Sequence, residues 1–311
     1  MAKTKAKSGL RTTNKVLGII LIVLVVVTAL IIIFSAAPKA ENASGDSEIK
    51  DVSVLDSEFK AGTYGGVEFK TQEDLVKYYA DAYNKTKAKT AKYKTDSGEI
   101  VDFYDMLGEE TLNVENLLVD GNKNETINKM VPGIVGGLFT KGASGLPPSK
   151  NRRPSDDKDE KGQSLQTCRL VNDDVLASNV VDNKDGTITI TIQPKMYELS
   201  TPGLDCQGHM FNTLGDITGV VSQISILKWA QGDASSNIKV YYMGGTGSAT
   251  IDTKTGEIVK AEYHEVANIS VSHASITIIK DKNATLTVKY DQTFPASNEY
   301  LKTNVQLDRV K

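Results

Sequence analysis

The sequence predicts an α+β fold: a strongly curved, half-barrel-like antiparallel sheet packed against two or three helices, preceded by one transmembrane helix. Three observations predict it. An uncharged apolar run spans Val16 to Phe34. Period-two alternation punctuated by short turns dominates from residue 178 onward. Between Gly256 and Asp281 about 24 residues pass without a Gly, Pro or Asp-type break, against a mean strand of about 5–6 residues.

The apolar run reads VLGIILIVLVVVTALIIIF. As a helix it is about 28 Å long, close to the roughly 30 Å hydrocarbon core of a bilayer. Lys3, Lys5, Lys7, Arg11 and Lys15 precede it and no acid does, so the positive-inside rule places the N-terminus in the cytoplasm. The rival reading is a cleaved signal peptide. Ser35, Ala36 and Ala37 offer small residues, but Pro38 follows directly, and the run exceeds the usual signal core of about 7–15 residues. No cysteine follows the run before Cys168, which excludes a bacterial-type lipoprotein anchor. The chain therefore divides into a basic cytoplasmic tail (1–15), a transmembrane helix (16–34), a flexible stalk (35–57) and an extracytoplasmic α+β domain (58–311). The localisation that follows is the cell membrane, single-pass, with the lipid bilayer as the partner of residues 16–34.

The formal net charge is −3, and setting aside the five N-terminal positives leaves about −8 for the rest. An acidic domain disfavours nucleic acid as a partner, because phosphate binding needs clustered Lys and Arg. With 40% hydrophobic residues the chain can build a core.

Residues 35–57 are small, polar and acidic, the composition of a stalk. Thr71 and Asp74 have capping-box spacing, and Leu75, Tyr78, Tyr79, Ala82 and Tyr83 recur at helical period, which predicts a helix. Lys92–Lys94 and Glu99–Met106 predict a hairpin across Thr95-Asp96-Ser97-Gly98. A second helix is expected over Asn124–Met130, ending before Pro132. The Gly-rich apolar stretch after it reads either as packing beneath the sheet or as an exposed patch. Lys150–Gln166 is a solvated loop. Its Asp156, Asp157, Asp159 and Glu160 lack the ordered spacing of a calcium loop.

Thr187–Ile192 alternates strictly after an Asn183–Gly186 turn. Phe211, Leu214, Ile217, Val220 and Val221 suggest a helical stripe weakened by Gly215 and Gly219. Strands are expected near 223–230, 237–243, 247–252, 257–280 and 284–291, with a turn at Asp281-Lys282-Asn283. Connections this short force antiparallel pairing. In the long strand the inward set Val259, Ala261, Tyr263 is expected to slip phase near Glu265-Val266 and resume at Ala267, Ile269, Val271, the sign of a bulge.

The stretches NETINKMVPGIVGGLFTKGASGLPP, DGTITITIQPK, GGTGSATIDTKTGEIVKAEYH and TLTVKYDQTFPAS resemble a group of uncharacterised, membrane-anchored extracytoplasmic proteins of Firmicutes-type bacteria. That resemblance implies placement but no activity. The hairpin around IDTKTGEIV is also similar, in architecture alone, to envelope lipid-carrier half-barrels of the LolA or LppX type, and fold does not imply function.

The functional expectation is a non-enzymatic binding or scaffold module of the envelope, whose ligand is a protein, a wall polymer or a lipid. A lipid groove would be lined by Tyr263, Ile269, Ile276, Leu286 and Val288. The alternative is an extracytoplasmic hydrolase, which would need acids, or Cys206 and His209, brought together by the fold. Cys168 and Cys206 could form a disulfide, worth about 3–4 kcal/mol for a loop of about 40 residues, or remain two buried thiols. Of the three histidines, His264 and His273 lack a nameable third ligand, so no metal site and no cofactor are expected. Sequons at Asn42, Asn84, Asn124, Asn268 and Asn283 read as chance in an Asn/Thr-rich chain.

Overall fold

The computed structural model describes residues 49–123, 143–148, 152–154, 158–159, 161–213, 218–222, 227–276 and 279–310. The apolar run 16–34 and the helix expected at Asn124–Met130 lie outside the described residues. Among the described residues no helix is long and apolar enough to cross a membrane.

An extended strap, residues 49–61, leads into a hairpin of β1 (Gly62–Tyr64) and β2 (Val67–Phe69). The strap is part of the folded domain. Asp51 Oδ2 accepts from the Met196 amide, the Gln193 side chain bonds Val52 O and Val54 N, and Phe59 N donates to Ser178 O. The docked chain therefore begins several residues before 58, where the stalk was expected to end.

Helix α1 (Gln72–Lys87) starts as its sequence dictates, because Thr71 and Asp74 form a complete capping box. Its buried stripe is Leu75, Val76, Tyr79, Ala82, Tyr83, Thr86 and Lys87. Tyr78 is half-buried and meets Phe69 edge-on at 5.4 Å. The C-terminal end is locked to the sheet: Thr86 Oγ1 accepts from Ile258 N, and Lys89 pairs with Glu257 at 2.6 Å.

The hairpin β3 (Thr90–Thr95) and β4 (Ile100–Tyr104) follows as expected. Next come β5 (Leu107–Val119), β6 (Ala143–Gly145), β7 (Val175–Asp182), β8 (Thr187–Pro194) and β9 (Tyr197–Glu198). Helix α2 (Thr218–Val221), β10 (Leu227–Trp229), α3 (Ala234–Asn237), β11 (Ile238–Tyr242) and β12 (Thr246–Asp252) lead to β13 (Glu257–Ile276) and β14 (Ile279–Phe294). After α4 (Asn298–Tyr300) and a π-turn, β15 (Leu307–Arg309) closes a small sheet in the order β15-β3-β4.

The fold is α+β and mostly sheet. The main sheet is open and antiparallel, in the order β6-β5-β14-β13-β12-β8-β7. β13 is its hub: one edge pairs with β14 along its length, while the other pairs first with β12 and then with β11 and β10. Two apolar clusters result. One lies between α1 and β8, β12 and the first half of β13; the other lies on β11, β14 and the second half of β13. Of the described helices only α1 is long, at 16 residues; the other described α-helices, α2, α3 and α4, are single turns.

The long strand was legible, but its irregularities lie elsewhere. Register runs unbroken from Ala261 to Val271, and Glu265 sits buried in phase with Tyr263 and Ala267. A charged residue interrupts the apolar pattern without interrupting the pleat, which is why a slip was expected there. The extra residue is Val259: Thr250 pairs with Lys260 and Ile251 with Ile258, leaving Val259 outward and 47% exposed instead of inward. A second shift separates Val271 from Ala274. There His273 and Asp281 adopt left-handed φ of 52° and 54°. Asp281–Asn283 is thus not the turn but part of β14, since Ile276 already pairs with Ile279. Its polar side chains serve the bulge, with His273 N donating to Asn283 Oδ1 and Lys282 pairing with Asp120.

At the centre of the α1 layer, Tyr79 and Tyr263 meet hydroxyl to hydroxyl at 2.5 Å, both 1% exposed. Burial raises both phenols further above their ordinary range, so both are neutral. Replacing either alone by Phe strands its partner's hydroxyl, at about 1–3 kcal/mol. A urea-denaturation cycle should therefore find Tyr79→Phe/Tyr263→Phe clearly less destabilised than the sum of the singles; strict additivity would refute the bond.

Candidate functional site

The inward face of the second cluster holds three of the five groove candidates. Val240, Ile269 and Leu286 lie in one cross-strand row; Tyr242, Ala267, Val288 and Val114 lie in the next. Ile269 and Leu286 are 2% and 3% exposed, whereas Val288, Leu112 and Val114 are half-buried beside them. Ile276 is placed by its main chain, paired with Leu227 and Ile279. Tyr263 belongs to the other cluster, against Phe211 and Tyr79. Between the clusters runs a polar seam of Glu265, Tyr290, Gln292 and Glu110, in which Gln292 Nε2 donates to Glu110 Oε1 at 3.0 Å.

The Cys206–His209 segment is a tightly bonded turn. Asp205 is its buried hub, accepting from Ser200 Oγ and from the amides of Thr201, Gln207 and Gly208. A Cβ on Gly208 would come within 2.2 Å of Thr201 O, so the turn requires glycine there. Cys206 donates its thiol to Lys195 O at 3.0 Å, and burial with the Asp205 charge pushes it up to about 12. His209 turns its Nδ1 to Asp174 Oδ2 at 2.8 Å. The fold therefore separates the roles that a Cys–His centre would join: the thiol is held protonated, and the imidazole is backed by a carboxylate. Cys168 is buried beneath α1, its thiol pushed up to about 12, and both thiols are free. His264 and His273 likewise turn Nδ1 to carboxylates across the β13–β14 pair, Asp291 at 2.8 Å and Asp281 at 2.7 Å.

In the acidic loop, Asp159 Oδ1 accepts from the Lys161 and Gln163 amides and Oδ2 pairs with Arg169 at 2.6 Å. This carboxylate organises a turn; Asp156, Asp157 and Glu160 lie outside the described residues. Among the described residues no group of three His, Cys, Asp or Glu could hold a metal ion.

The outward face of the sheet is mostly polar, with Val181 and Val259 as exposed apolar exceptions. Thr191, Ser248, Glu262, Thr293 and Glu109 form one row across five strands. Thr246, His264, Asp291 and Thr111 form the next. Hydroxyls bond across strands, Thr189 to Thr250 and Thr191 to Ser248, each at 3.0 Å. Opposite charges pair in Lys260–Glu262 and Lys289–Glu115, and His264 bonds Asp291. β5, which supplies one side of both faces, is the longest element that sequence reasoning missed, along with the β1–β2 hairpin and β15. Its signal was present: Thr111-Leu112-Asn113-Val114-Glu115 alternates, and Asp120-Gly121 ends it.

A shallow groove of about 370 Å³ also lies between β2 and α1, lined by Val67, Phe69, Tyr78 and by the charged Lys70, Asp74 and Lys77. Lys77 pairs with Asp81 and Lys70 with Glu68 at its rim.

No family model matches the chain, and neither a curated protein nor a solved structure matches it.

One buried cation stands out in the interior. Lys87, 2% exposed, donates to Leu146 O at 3.2 Å and lies over the Tyr104 ring, and burial lowers its ammonium from 10.5 to about 7. Burial disfavours the charge only in the folded state. Between pH 7 and the ordinary lysine range the unfolded chain therefore holds one more proton than the folded one, and stability climbs with pH. The slope reaches at most about 1.4 kcal/mol per pH unit. Urea midpoints of the wild type should rise relative to Lys87→Met from pH 7 to 10; parallel profiles would show that Lys87 is not desolvated.

Proposed function

We propose that the protein is a non-enzymatic binding module of the bacterial envelope. Residues 16–34 anchor it in the membrane, and the folded domain lies outside and presents the outward face of its sheet to a wall glycan. The observation that carries this reading is the division of labour between the two faces. An acyl chain on the inward face would have to displace the packing around Ile269 and Leu286. The outward face is open and offers rows of hydroxyls about 4.8 Å apart between strands and about 7 Å apart along them, a spacing suited to a polyhydroxylated polymer. The acidic domain disfavours phosphate-rich polymers, which favours an uncharged glycan.

The sheet is a half-barrel in this reading. A straight 20-residue β13 would run about 65 Å, whereas a compact domain of this size is about 45 Å across, so the strand must curve. The bulges at Val259 and beyond Val271 supply the bend. The alternative, an extracytoplasmic hydrolase, rests on His209 backed by Asp174, but it lacks a thiolate because Cys206 is held protonated.

Residues 49–311 should co-sediment with purified wall fragments. Retention should fall several-fold when Thr189, Thr191, Ser248 and Thr250 are changed together to Ala. Equal retention of that variant would remove the outward face as the site. A lipid adduct in native mass spectrometry would redirect the proposal to the inward face, and release of soluble wall products that His209→Ala abolishes would establish the hydrolase.

A further inference from the structure

The strap by which the chain enters the domain carries apolar side chains on its solvent side. Asp51, Ser53 and Leu55 are half-buried, while Val52 and Val54, two residues apart on an extended segment, are 63% and 55% exposed. Ile49 is 41% exposed just before them. Tyr197, which follows the Met196 amide bound by Asp51, is 46% exposed. Four of the domain's exposed large apolar side chains thus gather where the chain comes in. Lys50 and Lys195 flank them, exposed and positively charged.

The bonds described above hold this strap rigidly although it forms no ladder. The Gln193 amide, fully buried, bonds both the Val52 carbonyl and the Val54 amide along one edge of the strap, and a Cβ on Gly244 would meet Val54 Cγ1 at 3.9 Å. A fixed, outward-facing apolar edge with Lys50 and Lys195 beside it, and Glu198, Asp56 and Glu58 nearby, suits the interfacial zone of a bilayer, where apolar side chains enter the acyl boundary and Lys reaches the headgroups.

We propose that Ile49, Val52, Val54 and Tyr197 form a membrane-contact surface that seats the domain on the same bilayer that anchors it. This inference rests on the anchored reading above. Only residues 35–48 separate the apolar run from Ile49. If these residues behave as the linker their composition predicts, their root-mean-square span is about 20 Å, no more than the radius of the domain. The strap is therefore the part of the domain delivered to the membrane surface. Contact there orients the domain, with the β9–β11 edge and the Asp205 turn toward the bilayer.

The test uses the full chain in nanodiscs of phosphatidylglycerol and phosphatidylethanolamine. In a Cys206→Ser background, Val52→Cys, Val54→Cys and, as control, Val259→Cys at the bulge near the start of β13 each receive an environment-sensitive fluorophore. Blue-shifted emission is expected at 52 and 54, with quenching by headgroup-nitroxide lipid several-fold stronger there than at 259. Equal emission and quenching at all three, in a chain that still resists carbonate extraction, would overturn the contact surface while leaving the anchor intact. Loss of the chain to carbonate would overturn the anchor and the contact together. A shift seen only at high protein-to-disc ratio would assign the patch to a second copy of the chain and overturn lipid contact.

Discussion

The antiparallel pairing of β13 with β14 is the constraint on which the domain depends. Both strands are far longer than a usual strand, and each carries a different set of partners along its outer edge. β12, β8 and β7 hang on the first half of β13, β11 and β10 on its second half, and β5 on β14. The α1 layer packs over one end of this spine and the second apolar cluster over the other. A slip of β13 by one residue would turn Tyr263, Ala267 and Ile269 outward together, so both clusters would lose residues at once. The register of β13 shifts at Val259 and again on either side of Ala274, and the shift beyond Val271 is braced by the bond from His273 N to Asn283 Oδ1.

Polar groups inside this frame are consumed by structure. Asp205 closes a turn, His209, His264 and His273 are each oriented by a carboxylate, and Gln193 replaces a missing strand for the entry strap. The bonds of Asp205 and Gln193 satisfy groups that would otherwise lose their hydration on burial, while those of His264 and His273 orient imidazoles at the surface. The chemistry-bearing residues are thereby distributed rather than convergent. What remains open to a partner is surface: a hydroxyl-lined sheet face and an apolar edge at the point of entry.

Much of the frame was legible because its signals are local. The capping box at Thr71 and Asp74, the alternation at Thr187–Ile192 and the short turns each fix structure within a few residues. The uninterrupted stretch after Gly256 correctly announced a strand of unusual length. Signals failed where tertiary context decides. Glu265 was read as a break because a buried carboxylate looks polar in sequence, and Asp281–Asn283 was read as a turn because bulge chemistry uses the same residue types as turn chemistry. The strap was read as stalk because its binding comes from Gln193, Met196 and Ser178, more than a hundred residues away. The groove candidates shared a face, as alternation required, but which of them a partner could reach depends on packing that no spacing records.

The most direct measurement is protease shaving of intact, wall-stripped cells, followed by mass spectrometry of released and retained peptides. The account predicts that peptides spanning residues 51–310 are released, while the segment containing residues 1–34 stays with the membrane fraction. A domain that is digested only after the cells are lysed, or one recovered from the medium with its amino terminus already trimmed, would contradict it.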